Sequence, residues 1–159
     1  LFSSNLYQRS TIKDSTYIVN RYLKHPVFSY RIFGVYYRGN LSAFIVTRVV
    51  CHGNRSVMRV VDIQGNIQSI TKITKLLHDV LVDENHEYVD IMQFGLPEED
   101  YAKAGFVSTK HNDSLVLPDY FEPFVNRNID IFFAYKSDIN IGNIILFKGD
   151  ADQDRPNRL

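Results

Sequence analysis

The chain of 159 residues contains a single cysteine, Cys51. An internal disulfide is therefore excluded, and a reducing, cytoplasmic setting is expected. Nowhere does it hold the roughly 18–20 consecutive apolar residues that a helix needs to cross a bilayer. The opening "LFSSNLYQRS" has no basic segment followed by an apolar one, so it does not read as a signal peptide. Without such a signal, the Asn-x-Ser sequons at Asn40, Asn54 and Asn112 carry no expectation of glycosylation. Internal repeats and low-complexity tracts are absent. The chain opens without Met, and a piece of something longer is expected. Negative charge is scarce at one end: residues 1–60 hold nine Lys/Arg and one acid, Asp14, whereas residues 61–159 hold nine Lys/Arg and seventeen acids. The basic part either attracts an anionic ligand or complements the acidic part, and the second is favoured. The net charge is zero and no recognition module is visible, so nucleic-acid binding is not expected.

What is present is core material. The composition is 45% hydrophobic and 13% aromatic, enough for one globular domain. "KDSTYIVNRYLKHP" reads as a short helix stopped by Pro26. Two β-branched and aromatic runs flank Arg38-Gly39-Asn40, which predicts a hairpin. His52-Gly53-Asn54 predicts a second turn and "SVMRVVDIQG" a third strand. Ile67, Ile70, Ile73, Leu77, Val80 and Leu81 then fall on one helical stripe. "EYVDIMQFGL" reads as a central strand because its apolar run is nearly continuous. In "PEEDYAKAGF" the early Pro97, the acids Glu98 to Asp100 and the closing Gly105 predict a short helix. "FVSTK", "NIDIFFAYKS" and "NIILFKGD" read as strands. A helical crossover from the third strand to a fourth implies a parallel pair in an otherwise antiparallel sheet. The expected fold is thus α/β: an open mixed sheet, an antiparallel meander plus a parallel pair, flanked by helices.

Few residues carry an obvious chemistry. Cys51 and His52 are adjacent on a strand and point to opposite faces. Histidines 25, 52, 78, 86 and 111 have no ligand spacing, so no metal site is expected. His111, Asp113 and Ser114 lie in a loop, without the scaffold a triad needs. His25, at the end of the first helix, reads as a contact to the helix C-terminus or as a base for a sugar amine. In "DYFEPF", Tyr120 and Glu122 beside aromatics suit a sugar, or a loop that closes the core.

"DYAKAGF", Asp100 to Phe106, resembles the Tyr-x-Lys-x-Gly-Phe element of the GNAT superfamily of N-acetyltransferases, and the element order resembles that fold. The resemblance implies that Tyr101 protonates the leaving thiolate of coenzyme A. It also implies that backbone amides after the third strand hold the pyrophosphate of an acyl-CoA such as acetyl-CoA, with Val61, Ile63, Gly65, Asn66 and Ile67 as cofactor-binding positions. The family's Gln/Arg-x-x-Gly-x-Gly/Ala run is represented here by Asp62 to Ser69, with one glycine and no arginine. "NRYLKHP", "VVDIQG", "YFEPFV", "NIDIFF" and "FKGDADQDRPN" are similar to GNAT-like acyltransferases of bacterial surface-polysaccharide biosynthesis. That similarity implies residues 1–159 are one GNAT-like domain at the C-terminal end of a two-domain chain. It also implies an amino-sugar or nucleotide-sugar acceptor, a missing N-terminal domain as partner and room for a homodimer. The alternative is a degenerate, non-catalytic domain that binds substrate or completes a domain or dimer interface.

The chain closes on Asp150, Asp152 and Asp154 at alternate positions. An EF-hand is excluded, because Arg155 stands where its glycine must be. On a continuing strand the three carboxylates share one face. They then either clamp the basic N-terminal part, which is favoured, or line a sugar site.

Overall fold

A computed structural model describes residues 13–112, 114–118, 126–128, 130, 132–136 and 144–151. Four strands form one sheet in the order β1-β2-β3-β4: Arg31–Tyr37, Asn40–His52, Arg55–Gly65 and Val89–Ile91. The first three make an antiparallel meander, and β4 runs parallel to β3. This is the expected mixed sheet. The first turn is tight because Arg38 and Gly39 both take positive φ, which matches the strand twist. Arg59 donates to both carboxylate oxygens of the neighbouring Asp90, at 2.7 to 3.0 Å, and so ties β3 to its parallel partner.

Both faces of the sheet are covered. On one, α1 (Ser15–Ile18) continues into a wider helical turn, Val19–Leu23. It begins at Asp14, whose side chain accepts the Tyr17 amide, and it packs Tyr22 on Val46 and Val61. The other face carries the larger core: Ile45, Met58, Val60 and Ile63 under Ile67, Ile70, Ile73, Leu77 and Tyr101. No helix among the described residues is long and apolar enough to cross a membrane.

Five expectations are corrected. The stripe from Ile67 to Leu81 is two segments: a 3-10 turn, Ile67–Lys72, and α2, Thr74–Asp83. Ile67, Ile70 and Ile73 recur every three residues, the 3-10 period, and all three are buried. "EYVDIMQFGL" is likewise two strands: β4 pairs with β3, whereas β5 (Gln93–Phe94) pairs with β6 (Leu146–Phe147). "FVSTK" forms no strand; its end curls into a 3-10 turn, Thr109–His111. The described part of "NIDIFFAYKS" carries no ladder, and Phe132 is exposed. Finally, "NIILFKGD" pairs only through Leu146 and Phe147 before turning at Lys148–Asp150. The strand alternation expected for Asp150, Asp152 and Asp154 therefore ends before Asp150, and Asp152 and Asp154 lie outside the described residues.

Two irregularities shape the far end of β3. Val46 pairs with Asp62 but Thr47 pairs with Val60, so Val61 is an extra residue, a bulge. The bulge resets the alternation of side chains. Val60 and Ile63 enter the larger core, while Val61 joins the cluster around Tyr22, and Asp62 reaches the Tyr22 hydroxyl on that same face. Beyond the last β3–β4 pair, Val60 and Ile91, the chain of β4 leaves for β5. The C-terminal turn lies beside β3 there: Gly149 sits so close to the Val61 carbonyl and the Tyr22 hydroxyl that a Cβ would not fit.

Candidate functional site

The groups that carry chemistry converge on the far end of β3. On the α1 face lies a buried polar cluster. Asp62, fully buried, accepts from Lys13 Nζ and from the Tyr22 hydroxyl, both at 2.7 Å. Gln64, two residues along the same strand, donates to both Asp62 oxygens. Lys13 also pairs with Asp150 at 2.7 Å, and the second Asp150 oxygen accepts the Phe147 amide. Tyr17 completes the enclosure: its hydroxyl donates to the Gly149 carbonyl, and Lys13 lies 6.0 Å from its ring centre. Burial, followed by the charge of Asp62, pushes the Tyr22 phenol well above its ordinary range. Of the two readings of the C-terminal aspartates, Asp150 takes the clamp onto the basic N-terminal part.

The expected cofactor positions are described in full. Val61 and Ile63 are core residues, and Ile67 is buried. Gly65 ends β3 with positive φ. Three of the amides that follow are engaged within the chain. Asn66 donates to the Ser42 carbonyl, Gln68 to the Asn66 side chain and Ser69 to the Asn66 carbonyl. Ser42 and Ser69 also join through their hydroxyls. A pyrophosphate needs these N–H groups pointing outward. The second glycine of the family pattern is Ile67, whose side chain fills the core beneath the turn. The residues of this turn do not fit the phosphates of an acyl-CoA.

Tyr101 belongs to the opposite face. Its short helix α3 (Glu98–Lys103) packs on the Ile67–Lys72 turn, next to the expected cofactor segment. The ring meets Phe106 edge-on at 6.2 Å. The hydroxyl is buried and has no hydrogen-bond partner among the described residues. Burial, with a smaller push from Asp100, raises its pKa above the ordinary phenol range, so the proton is held more tightly.

Tyr22 and Tyr101 both have folded-state pKa values above those of the unfolded chain, so each contributes equally to both states below about pH 10. Above that, the unfolded chain releases protons that the folded one retains, and stability falls as pH rises. Phenolate absorbance in an alkaline titration should therefore stay below the amplitude of ten tyrosines until the protein unfolds. Tyr101→Phe should leave a smaller withheld fraction. It should also stabilise the fold by about 1 kcal/mol, because an unpaired buried hydroxyl is removed. Full phenolate amplitude before unfolding would contradict both pKa shifts.

His25 is held in a turn. Its Nδ1 accepts the amides of Val27 (3.2 Å) and Phe28 (3.0 Å), which places the proton of the neutral ring on Nε2. The ring stacks on Phe28 and meets Tyr30, which in turn meets Tyr22. His25 and Asp150 thus share the α1 side of the sheet, whereas Tyr101 and Ile67 lie on the other. The sheet separates these two groups. Tyr120, Glu122, Asp152 and Asp154 lie outside the described residues. Among the described residues no three His, Cys, Asp or Glu side chains converge as a metal set.

Sequence reading missed Lys13, Tyr22 and Gln64 as members of the cluster. Only the Asp62-x-Gln64 spacing carried a signal, since residues two apart on a strand share a face. Comparison of the chain with protein-family models, with curated proteins and with solved structures returned no match.

Proposed function

We propose that this chain is a GNAT-like domain of an acyltransferase that acts on an amino-sugar or nucleotide-sugar in surface-polysaccharide biosynthesis, and that the acyl donor's phosphates are gripped outside this domain. The observation that carries the reading is topological. A helical crossover leads from β3 to a parallel β4, and the helix bearing Tyr101 packs on the turn that ends β3. This supports the resemblance carried by Asp100 to Phe106. The internally engaged amides of Asn66, Gln68 and Ser69 support the second half of the proposal. The preceding domain implied by the resemblance is then the place for the donor.

A second reading, a degenerate domain that serves an interface or binds substrate without catalysis, draws on the same engaged amides and on the burial of the Tyr101 hydroxyl. Calorimetry with coenzyme A separates the two. The 159-residue chain is expected to give no binding heat. A longer chain that includes the preceding domain is expected to bind and to acetylate an amino-sugar. Failure of the longer chain on both counts would favour the degenerate domain. Binding by the 159-residue chain alone would overturn the placement of the donor.

A further inference from the structure

A second group of reactive side chains lies on the larger-core face, at the opposite end of β3 from the polar cluster. Ser56 stands two residues before the core residue Met58 on β3 and shares its face. The Ser56 hydroxyl lies 2.8 Å from His86 Nδ1, and His86 Nε2 lies 3.2 Å from a carboxylate oxygen of Glu84. A hydroxyl, an imidazole and a carboxylate in series are the parts of a serine nucleophile, its base and the group that orients the base.

The direction of these hydrogen bonds follows from Glu84. Arg31 donates to both of its oxygens and, with a smaller share from His86, holds the carboxyl below its ordinary range. Glu84 is therefore ionised at neutral pH, and an ionised carboxylate only accepts. The proton of the neutral His86 ring then sits on Nε2, which leaves Nδ1 to accept from Ser56. That is the arrangement in which an imidazole takes a serine proton.

The backbone holds these groups in place. Asn85 takes positive φ and turns the chain back after α2. The His86 amide donates to the Leu81 carbonyl at 3.0 Å, and the Glu87 amide to the Ser56 carbonyl at 2.9 Å. The neighbouring side chains Arg55 and Glu87 add an ion pair. Only 5% of the His86 side chain is exposed, whereas Ser56 is half-buried beside the exposed turn at Gly53 and Asn54. The base is shielded from water, and the hydroxyl borders the surface.

We propose that Ser56 is the nucleophile of an esterase site for short carboxylic esters, with His86 as its base and Glu84 as the residue that positions His86. Ser56 Oγ attacks the ester carbonyl carbon while its proton passes to His86 Nδ1. The tetrahedral intermediate collapses, the bond to the leaving oxygen breaks, and the alcohol departs with the proton from His86. Water then attacks the acyl-serine and gives a proton to His86. His86 returns a proton to Ser56 as the carboxylic acid leaves. The imidazolium formed in each half faces the Glu84 carboxylate. The site does not depend on the acyl-transfer reading, because Tyr101 packs on the turn at the other end of β3.

A fluorophosphonate probe and p-nitrophenyl acetate test the proposal on the 159-residue chain. Cys51 is exposed and pairs with Ser56 across the two strands, so Cys51→Ala is made first, because a thiol also takes up acyl groups. Peptide mass spectrometry should then place the phosphonyl group on Ser56. p-Nitrophenol release should exceed the buffer rate, and Ser56→Ala should lower it by about tenfold or more. Glu84→Gln should slow maximal phosphonylation about tenfold and leave the half-saturating probe concentration unchanged, a split that a merely structural loss would not give. If Ser56→Ala does not fold, the site of attachment on the chain that keeps Ser56 decides alone. Absence of the phosphonyl group from Ser56 would overturn the site. So would p-nitrophenol release that Ser56→Ala leaves unchanged.

Discussion

Lys13→Met is expected to destabilise the fold by about 3–5 kcal/mol, the cost of stripping a buried charge of its partner. Lys13 is the described cation between Asp62 and Asp150, and all three side chains are withdrawn from water. Methionine matches the length of the lysine stem, so little packing is lost and the charge effect is isolated. Two carboxylates then face a site without their ammonium. The remaining donors to Asp62 among the described residues, the Tyr22 hydroxyl and the Gln64 amide, are neutral. Urea unfolding followed by far-ultraviolet circular dichroism suits the measurement, because the chain has no tryptophan. The charge origin has its own test. Asp62→Asn added to Lys13→Met should recover part of the loss, since it removes one uncompensated carboxylate while keeping an oxygen for Tyr22. A loss below about 1 kcal/mol for Lys13→Met, within the range of a surface pair, would show that the cluster is not buried as described.

Gly95→Ala is expected to cost about 3 kcal/mol or more, by overpacking and by backbone strain together. Gly95 has φ +92, which a side chain rarely adopts, and a Cβ there would run into the Ile144 carbonyl oxygen. That carbonyl precedes Ile145 and Phe147, both core residues, and the pair Gln93–Phe147 lies next to it. Relief would require the last segment of the chain to move away from β5. The same unfolding measurement reports the size of the loss. Gly53→Ala serves as the comparison: its φ is also positive, but nothing stands within 4 Å of a Cβ there. If the two glycine variants lose stability equally, the close approach of Ile144 is not what constrains Gly95.

Much of the fold was legible because it is local. Arg38-Gly39 makes a two-residue turn wherever strand-forming runs flank it, and Asn66 starts the helical segment with its own side chain. The change of period from β3 into the helical segment was legible as well. Its split was written in the three-residue spacing of Ile67, Ile70 and Ile73, which a single 3.6-residue stripe absorbs within its tolerance. The strand run 87–96 shows the opposite case. Nothing in its near-continuous apolar pattern tells that Val89–Ile91 and Gln93–Phe94 choose different partners, because an apolar run does not name the strand it pairs with.

The candidate site was less legible, for a physical reason. In the sequence, Asp62 only opens the run that stands in place of the family's phosphate-binding loop. Its actual surroundings depend on one extra residue, Val61, that no propensity marks as a bulge and that turns Asp62 toward Tyr22 and Lys13. Likewise, the Asn66 amide is engaged by the Ser42 carbonyl of β2, and the Ser69 hydroxyl meets that of Ser42, so the turn is tied to a distant strand. By itself the sequence determined the α/β class, the meander, the crossover and the burial of the apolar stripes, because turn chemistry and side-chain periodicity act over a few residues. Only the tertiary structure decided which carboxylates meet Lys13, which amides are already engaged and which face Tyr101 occupies. Those outcomes depend on pairings between distant segments, whose register is set by the packing of the whole sheet.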